Sequence, residues 1–303
     1  MENVLNTTNL TKIYGKKTVV DKVSMNIRKG QIYGLIGKNG AGKTTIMRMI
    51  AGLAFVNDGE IRLFDSNDLD FQRRRIGYII ESPALYPRMT AVQNLEIYRR
   101  LNGVPDKDCI PRLLEMVDLS DTAKKKVKHF SLGMKQRLGI AISLMGNPDF
   151  LILDEPINGL DPKGIKDMRE LLLRLNRENE ITILMSSHIL GEMSKIATCY
   201  GILKKGELVT EITSEQLAVK CKRCLKIRVD DVKKATAVLE NIIGTTNYDV
   251  LPENNIRLFD CIDRPAQVNM ELSKNGVMVE TISEVGQDLE EFFMEQMGGI
   301  LNE

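Results

Sequence analysis

Eight consecutive residues, Gly37-Lys38-Asn39-Gly40-Ala41-Gly42-Lys43-Thr44, fit the pattern GxxxxGKT in full. Each position has a physical task. Glycines let a backbone wrap tightly with its N–H groups turned inward, where they can cradle a phosphate chain. A helix beginning near Lys43 would add the positive end of its dipole. The Lys43 ammonium can then reach β- and γ-phosphates, and the Thr44 hydroxyl can hold Mg2+. Thr45, next in line, is counted with the nucleotide-binding residues. Context separates such a site from a chance glycine-rich turn. Here the apolar run Ile32 to Ile36 reads as a buried strand just before the loop, and a helical pattern follows it.

Two acids end a second apolar run: Phe150-Leu151-Ile152-Leu153 leads directly into Asp154-Glu155. In an open α/β sheet, ligand-binding groups gather at the C-terminal ends of the strands. Asp154 is expected to bind Mg2+ through a water, and Glu155 to orient and polarise the attacking water as general base. His188 stands just past Ile181 to Met185, which reads as another buried strand. A γ-phosphate contact is expected of it, whereas His129 reads as structural.

The elements that must position these groups are legible in outline. Up to about residue 215, short apolar runs alternate with helical patterns, which argues for a mainly parallel sheet carrying helices. Val23, Met25 and Ile27 alternate with polar residues, as in a half-buried strand. Thr90 and Gln93 form a capping box for a helix with Ala91, Leu95 and Tyr98 on one face, stopped by Asn102-Gly103. Asp161-Pro162 reads as the N-cap and first position of a helix that buries Ile165, Met168, Leu172 and Leu175. Lys205-Gly206 is a hairpin turn.

After Ser214 the pattern changes. Leu225, Ile227 and Val229 alternate with charged residues. A helix with Val232, Ala235, Leu239 and Ile242 on one side follows, then two strands around Pro252-Glu253-Asn254-Asn255. A second helix, capped by Asp263, carries Val268 and Leu272, and Val277 to Ser283 reads as the last strand. The order β-α-β-β-α-β suggests a small ferredoxin-like domain. An amphipathic helix with Leu289, Phe292, Phe293 and Gln296 is expected to end the chain. The expected domains are residues 1–215 and 216–303.

With 303 residues, 43% hydrophobic and 27% charged, the chain suits two ordinary globular domains. The net charge of +1 gives no nucleic-acid signal. No apolar run approaches a membrane span and the N-terminus lacks the apolar core of a signal peptide, so a cytoplasmic place is expected. Cys221 and Cys224 form a CxxC without a second pair, for which coincidence is a simpler reading than metal or redox use. Arg73-Arg74-Arg75 and Lys124-Lys125-Lys126 read as solvated faces.

Shortly upstream of the acidic strand lies Phe130-Ser131-Leu132-Gly133-Met134-Lys135-Gln136-Arg137. Ser131 can cap the following helix, leaving its N-terminus and the Gly133 amide free for an anion. With the phosphate loop and the acids, this segment resembles the signature of the ABC transporter ATPases, usually LSGGQ with QR soon after. The resemblance runs over roughly residues 4 to 213. Gly159-Leu160-Asp161 matches the family's D-loop, and Tyr14 matches the aromatic that stacks on adenine.

The resemblance implies an α/β P-loop NTPase domain of ABC type, with an antiparallel β subdomain and a helical subdomain, beside the small C-terminal α+β domain. It implies ATP and Mg2+ as ligands, and hydrolysis coupled to transport. It implies a second ATPase copy whose Ser131–Gly133 end faces the γ-phosphate, with Asp161 also at that site. It further implies a separate transmembrane permease, docked near Glu81 to Tyr98, which would hold the chain at the inner face of the membrane. Two departures stand out. Leu132 and Met134 replace signature residues, and Glu81, in Tyr78-Ile79-Ile80-Glu81-Ser82-Pro83-Ala84-Leu85-Tyr86-Pro87, replaces the usual glutamine near Mg2+. Both resemble the branch that exports bacitracin and lantibiotics for self-protection. Glu81 is expected to sense nucleotide and metal. The competing readings are a soluble ABC-type ATPase acting on ribosomes or DNA, and a module that holds ATP without turnover. One phosphate loop and no heptad run weigh against the first, and intact Lys43, Asp154, Glu155 and His188 against the second. The α/β tail and the signature variant favour export over import.

Overall fold

The computed structural model describes residues 2–122, 125–221 and 223–285, together with Phe292, Phe293 and Gln296. The chain divides into two compact units, the second beginning at Glu215, with Gln296 grouped in the first. There the Thr210 hydroxyl donates to Gln296 Oε1 at 2.9 Å.

The first unit holds two sheets. An antiparallel sheet takes β1 (Asn3–Tyr14), β2 (Lys17–Arg28) and β4 (Asp58–Leu63) in the order β2-β1-β4. Val23, Met25 and Ile27 of β2 are buried, as their alternation requires. The main sheet takes β3 (Ile32–Ile36), β5 (Ile76–Ile79), β6 (Phe150–Leu153), β7 (Thr182–Ser187), β8 (Cys199–Lys204) and β9 (Glu207–Thr213). Its order is β5-β6-β7-β3-β8-β9. Every pairing is parallel except that of β8 with β9. All residues of β3, β6 and β7 are buried. Continuous apolar strands are what a parallel sheet covered on both faces demands. This order sets β6, β7 and β3 side by side, so their C-terminal ends form one rim although the strands lie far apart in sequence.

The two sheets share a core. Val20, Val23, Met25 and Ile27 pack in one cluster with Tyr33, Leu35, Ile46, Ile50, Phe150 and Leu184. The β8–β9 hairpin turns at Lys205 and Gly206, both with positive φ. Its Gly206 N–H donates to the Ala41 carbonyl at 3.0 Å, and the Asp21 N–H to the Gly206 carbonyl at 2.9 Å. The loop before the first helix is therefore held between β2 and this hairpin.

Capping sets the helix starts. Thr90 and Gln93 exchange the two bonds of a capping box at the head of Ala91–Leu101, which ends at Asn102 with Gly103 at φ 64°. Asp161 accepts from the Gly164 N–H at 3.1 Å, with Pro162 at the first position of Pro162–Asn179. That helix buries Met168, Leu171, Leu172 and Leu175, while Ile165 is only partly covered. The helix Leu132–Ser143 lies so close to β5 that a Cβ on Gly77 would meet the Ser143 carbonyl oxygen at 2.2 Å. Only glycine permits that approach. Arg137 on this helix pairs with Asp118 and Asp167 at 3.1 and 3.3 Å, joining three segments.

The basic triplet 73–75 is not a solvated face. Arg73 donates to the Ile50 and Met49 carbonyls at 3.1 and 3.2 Å, capping the orphan end of the Lys43–Ile50 helix. Arg75 lies 3.6 Å from the Phe64 ring centroid and pairs with Asp149 at 2.7 Å. Arg74 is exposed, as are Lys125 and Lys126; Lys124 lies outside the described residues.

The second unit runs β10 (Cys224–Val229), helix Val232–Val238, β11 (Tyr248–Leu251), β12 (Asn255–Leu258), helix Pro265–Lys274 and β13 (Val279–Val285). Its sheet has the order β11-β12-β10-β13, antiparallel throughout. This is the ferredoxin-like arrangement expected. Two local expectations fail. A π turn over Leu239–Ile243 changes the helical phase, so Ile243 packs on the core and Ile242 is 49% exposed. Asp263 caps nothing, because Pro265 opens the helix and makes Arg264 the N-cap. The expected closing helix falls mostly outside the described residues, Leu289 included, although Phe292, Phe293 and Gln296 are helical.

Candidate active site

Gly37 to Gly42 bend between β3 and the Lys43–Ile50 helix. Two positions accept only glycine: a Cβ on Gly37 would meet the Leu203 carbonyl oxygen at 2.6 Å, and one on Gly42, at φ 110°, the Val19 carbonyl oxygen at 2.8 Å. Between them Lys38, Asn39 and Gly40 are exposed and Ala41 is buried. The helix carries no acid in its first turn, which leaves its positive end uncompensated. Lys43 is 6% exposed. Its ammonium donates to the Gly37 carbonyl at 2.7 Å and stands 3.5 Å from Glu155 Oε1. Thr45 follows on the same turn, partly buried.

The rim of the sheet brings the other groups to this loop. Thr44 Oγ1 donates to Asp154 Oδ2 at 2.7 Å. Asp154, 6% exposed, takes a second bond on Oδ1 from the Ser186 hydroxyl at 2.6 Å. Glu155 has φ 50°, a backbone region disfavoured for a residue with a side chain, and its N–H donates to Ser186 Oγ at 2.9 Å. Its carboxylate spans two partners: Oε1 faces Lys43, and Oε2 lies 2.8 Å from His188 Nδ1. Three separate strand ends, β3, β6 and β7, thus meet on one carboxylate.

The oxygen donors of this cluster fit a hard divalent cation. Thr44 and Asp154 offer hard oxygens within bonding distance of each other, the chemistry that suits Mg2+. Among the described residues no group of three or more His, Cys, Asp or Glu could hold a metal alone. Mg2+ carried by a phosphate chain needs none, since it takes one or two protein oxygens and fills the rest with phosphate and water.

Comparison with known proteins decides the family. The ABC transporter family model matches residues 20–158. The bacitracin transport ATP-binding protein BcrA of Enterococcus faecalis is 41% identical over 302 residues, covering 99% of this chain and 98% of that protein. The lantibiotic transport ATP-binding protein SrtF of Streptococcus pyogenes is 47% identical over 207 residues, 67% of this chain and 88% of that one. Among solved structures, a dimeric ATP-binding cassette in a post-hydrolysis state with ADP and Pi matches with a TM-score of 0.62 at 26% identity, over 69% of this chain and 98% of that chain. This chain belongs to the ABC transporter family. It is an ATP-binding subunit, and its reaction is ATP hydrolysis in the service of transport. The similarity to BcrA spans both units, whereas the solved cassette matches about two thirds of the chain. No helix among the described residues is long and apolar enough to cross a membrane.

The remaining residues expected at the ABC site lie apart from this cluster. Tyr14 sits at the turn between β1 and β2, half-exposed, with the Lys12 ammonium 4.9 Å from its ring centroid. Ser131 caps Leu132–Ser143 by accepting from the Met134 N–H at 3.2 Å, and that helix too has no acid in its first turn. A Cβ on Gly159 would touch Leu132 at 3.2 Å, and one on Gly133 would touch Leu160 at 3.7 Å. Signature and D-loop therefore abut within one subunit. Among the described residues, no hydrogen bond or ion pair joins Ser131 or Gly133 to the phosphate loop. Asp161 serves as a helix cap. Glu81 follows β5 and is paired with Arg48, not with the Thr44–Asp154 oxygens.

Sequence reasoning passed over two residues of this site. Ser186 belongs to no motif in the sequence. The signal that finds it is register: Leu153 pairs with Met185, so the next residue on each strand, Asp154 and Ser186, face each other. Arg48 carries no motif, and only its position one turn after Thr44 marks it.

Proposed function

We propose that this chain hydrolyses Mg-ATP with Glu155 as general base and drives a separate permease that exports a peptide antibiotic or similar compound. The reading is supported most by one observation, the Glu155 carboxylate held between Lys43 and His188 at 3.5 and 2.8 Å. A carboxylate fixed on both sides can accept a proton from water in a set direction. Lys43 and the loop amides would hold the β- and γ-phosphates, and His188 would steady Glu155 and reach the γ-phosphate. Thr44 and Asp154 would hold Mg2+, which when bound spreads the charge that develops between the β- and γ-phosphates. Ser186 keeps Asp154 and Glu155 in register.

A second copy would complete the site. Among the described residues the Ser131–Gly133 helix end makes no hydrogen bond or ion pair to the phosphate loop of its own subunit, and the similar solved cassette is dimeric. Tyr14 would stack on adenine at the edge of this pocket. The permease would dock along Glu81 to Tyr98, where Tyr86, Met89 and Val92 are exposed, and would keep the chain at the inner face of the membrane. The cargo class rests on the names of BcrA and SrtF.

The purified chain should release phosphate from ATP in the presence of Mg2+ and lose that rate when EDTA removes the metal, with activity restored by added Mg2+. A rate indifferent to EDTA would sink the assignment of Thr44 and Asp154.

A further inference from the structure

Glu81 stands where the family usually has a neutral amide, and its carboxylate meets a cation. Arg48 Nη2 donates to Glu81 Oε1, with the two side chains 38% and 64% exposed. Arg48 stands four residues after Thr44, one turn along the same face of the Lys43–Ile50 helix. The backbone leading to Glu81 is tied to the other metal-site residue, because the Asp154 N–H donates to the Ile79 carbonyl at 2.8 Å. Ile80 packs on the core cluster. Glu81 itself has φ 72°, a conformation that side chains disfavour and that persists only where neighbours hold it. The backbone two residues before Glu81 is thus tied to Asp154, and the carboxylate itself is turned onto an arginine one helical turn from Thr44.

We infer that Arg48 and the nucleotide-borne Mg2+ compete for the Glu81 carboxylate, so that the metal takes Glu81 only by releasing Arg48. The inference rests on the Mg-ATP site proposed above. Three physical points carry it. A carboxylate that turns to a divalent cation loses most of its attraction to a guanidinium one turn away, and that guanidinium is then repelled by the metal. The pair is exposed, and exposed pairs are worth little, so Mg2+ can displace Arg48 without a large penalty. A glutamine at 81 would carry no charge for either cation, so the contest needs the acid. Arg48 is a positioning residue: it sets where Glu81 rests before the metal arrives, and with it the start of the 81–98 segment.

The test measures metal affinity, not turnover. Mn2+ binding to the full-length protein, saturated with a non-hydrolysable ATP analogue, is followed by electron paramagnetic resonance. Arg48→Gln should tighten Mn2+ binding by about 1.5- to fivefold, the span of an exposed ion pair. Glu81→Gln should weaken it. In the Glu81→Gln background, Arg48→Gln should change nothing, because the contested carboxylate is gone. Competition is overturned if Arg48→Gln leaves Mn2+ affinity unchanged or lowers it. It is equally overturned if the tightening persists in the Glu81→Gln background, which would mean that Arg48 acts only by its own charge. Asp154→Asn separates this from the underlying reading. If that variant keeps wild-type Mn2+ affinity, the metal site itself is misplaced and both proposals fall. If it loses Mn2+ while Arg48→Gln is silent, only the competition fails.

Discussion

Replacing Glu155 by Gln should lower phosphate release by roughly 10^2–10^4-fold, the usual contribution of a positioned general base, while Mg-ATP still binds. The amide keeps the shape and one oxygen acceptor of the carboxylate but cannot take a proton. The neighbours argue for a loss of chemistry rather than of structure. The bond to the Ser186 hydroxyl is donated by the Glu155 backbone N–H and survives the change, and the left-handed φ at 155 is no harder for a glutamine to adopt than for a glutamate. Lys43 keeps its bond to the Gly37 carbonyl, so its ammonium is not left unpaired. Single-turnover phosphate release, with nucleotide binding measured in parallel, checks this. Equal rates for the two proteins would remove Glu155 from the mechanism.

Lys43→Ala should act one step earlier, on binding. A charge-assisted hydrogen bond contributes about 1.5–3 kcal/mol, and 1.4 kcal/mol is tenfold in affinity. Loss of the ammonium should therefore weaken ATP by roughly 10- to 100-fold. The side chain is nearly buried and braces the loop through the Gly37 carbonyl, so the loop also loses an internal tie. Its removal also takes away the ammonium that stands 3.5 Å from Glu155 Oε1. ATP titration with a fluorescent analogue measures the effect, and unchanged affinity would mean that the phosphates lie elsewhere.

Much of this site was legible because its physics is local. GxxxxGKT needs only a strand before it and a helix after it, and the runs at Ile32 and Phe150 announce their strands by continuous apolar character. The capping box at Thr90 and the Asp161-Pro162 start are equally local. Properties that depend on sheet order were harder to see. Nothing in the sequence alone sets β7 between β6 and β3, and it is that order which places Ser186 against Asp154 and His188 against Glu155. Long-range pairing also explains the misread arginines. Arg73 looked like a surface charge until the end of the Lys43–Ile50 helix supplied carbonyls for it. Glu81 was read by analogy with a glutamine, and its tie to Arg48 appears only once β5 and that helix are side by side. The π turn at Leu239 defeats any pattern of 3.6 residues, which is why Ile242 was assigned to the wrong face.

A phosphate loop on one copy is expected to be completed by the Ser131–Gly133 helix end of another. Complementation between two inactive variants addresses it directly. Lys43→Ala disables the loop. Gly133→Asp sets a negative charge where the γ-phosphate would meet the helix end, and its Cβ, 3.7 Å from Leu160, fits without disturbing the fold. In a mixed dimer, the intact loop of the Gly133→Asp copy meets the intact helix end of the Lys43→Ala copy, so one whole site is restored. Mixing the two proteins should therefore produce a Mg-dependent ATPase rate well above that of either alone. A mixture that forms dimers yet hydrolyses no faster than its separate components would contradict the shared site.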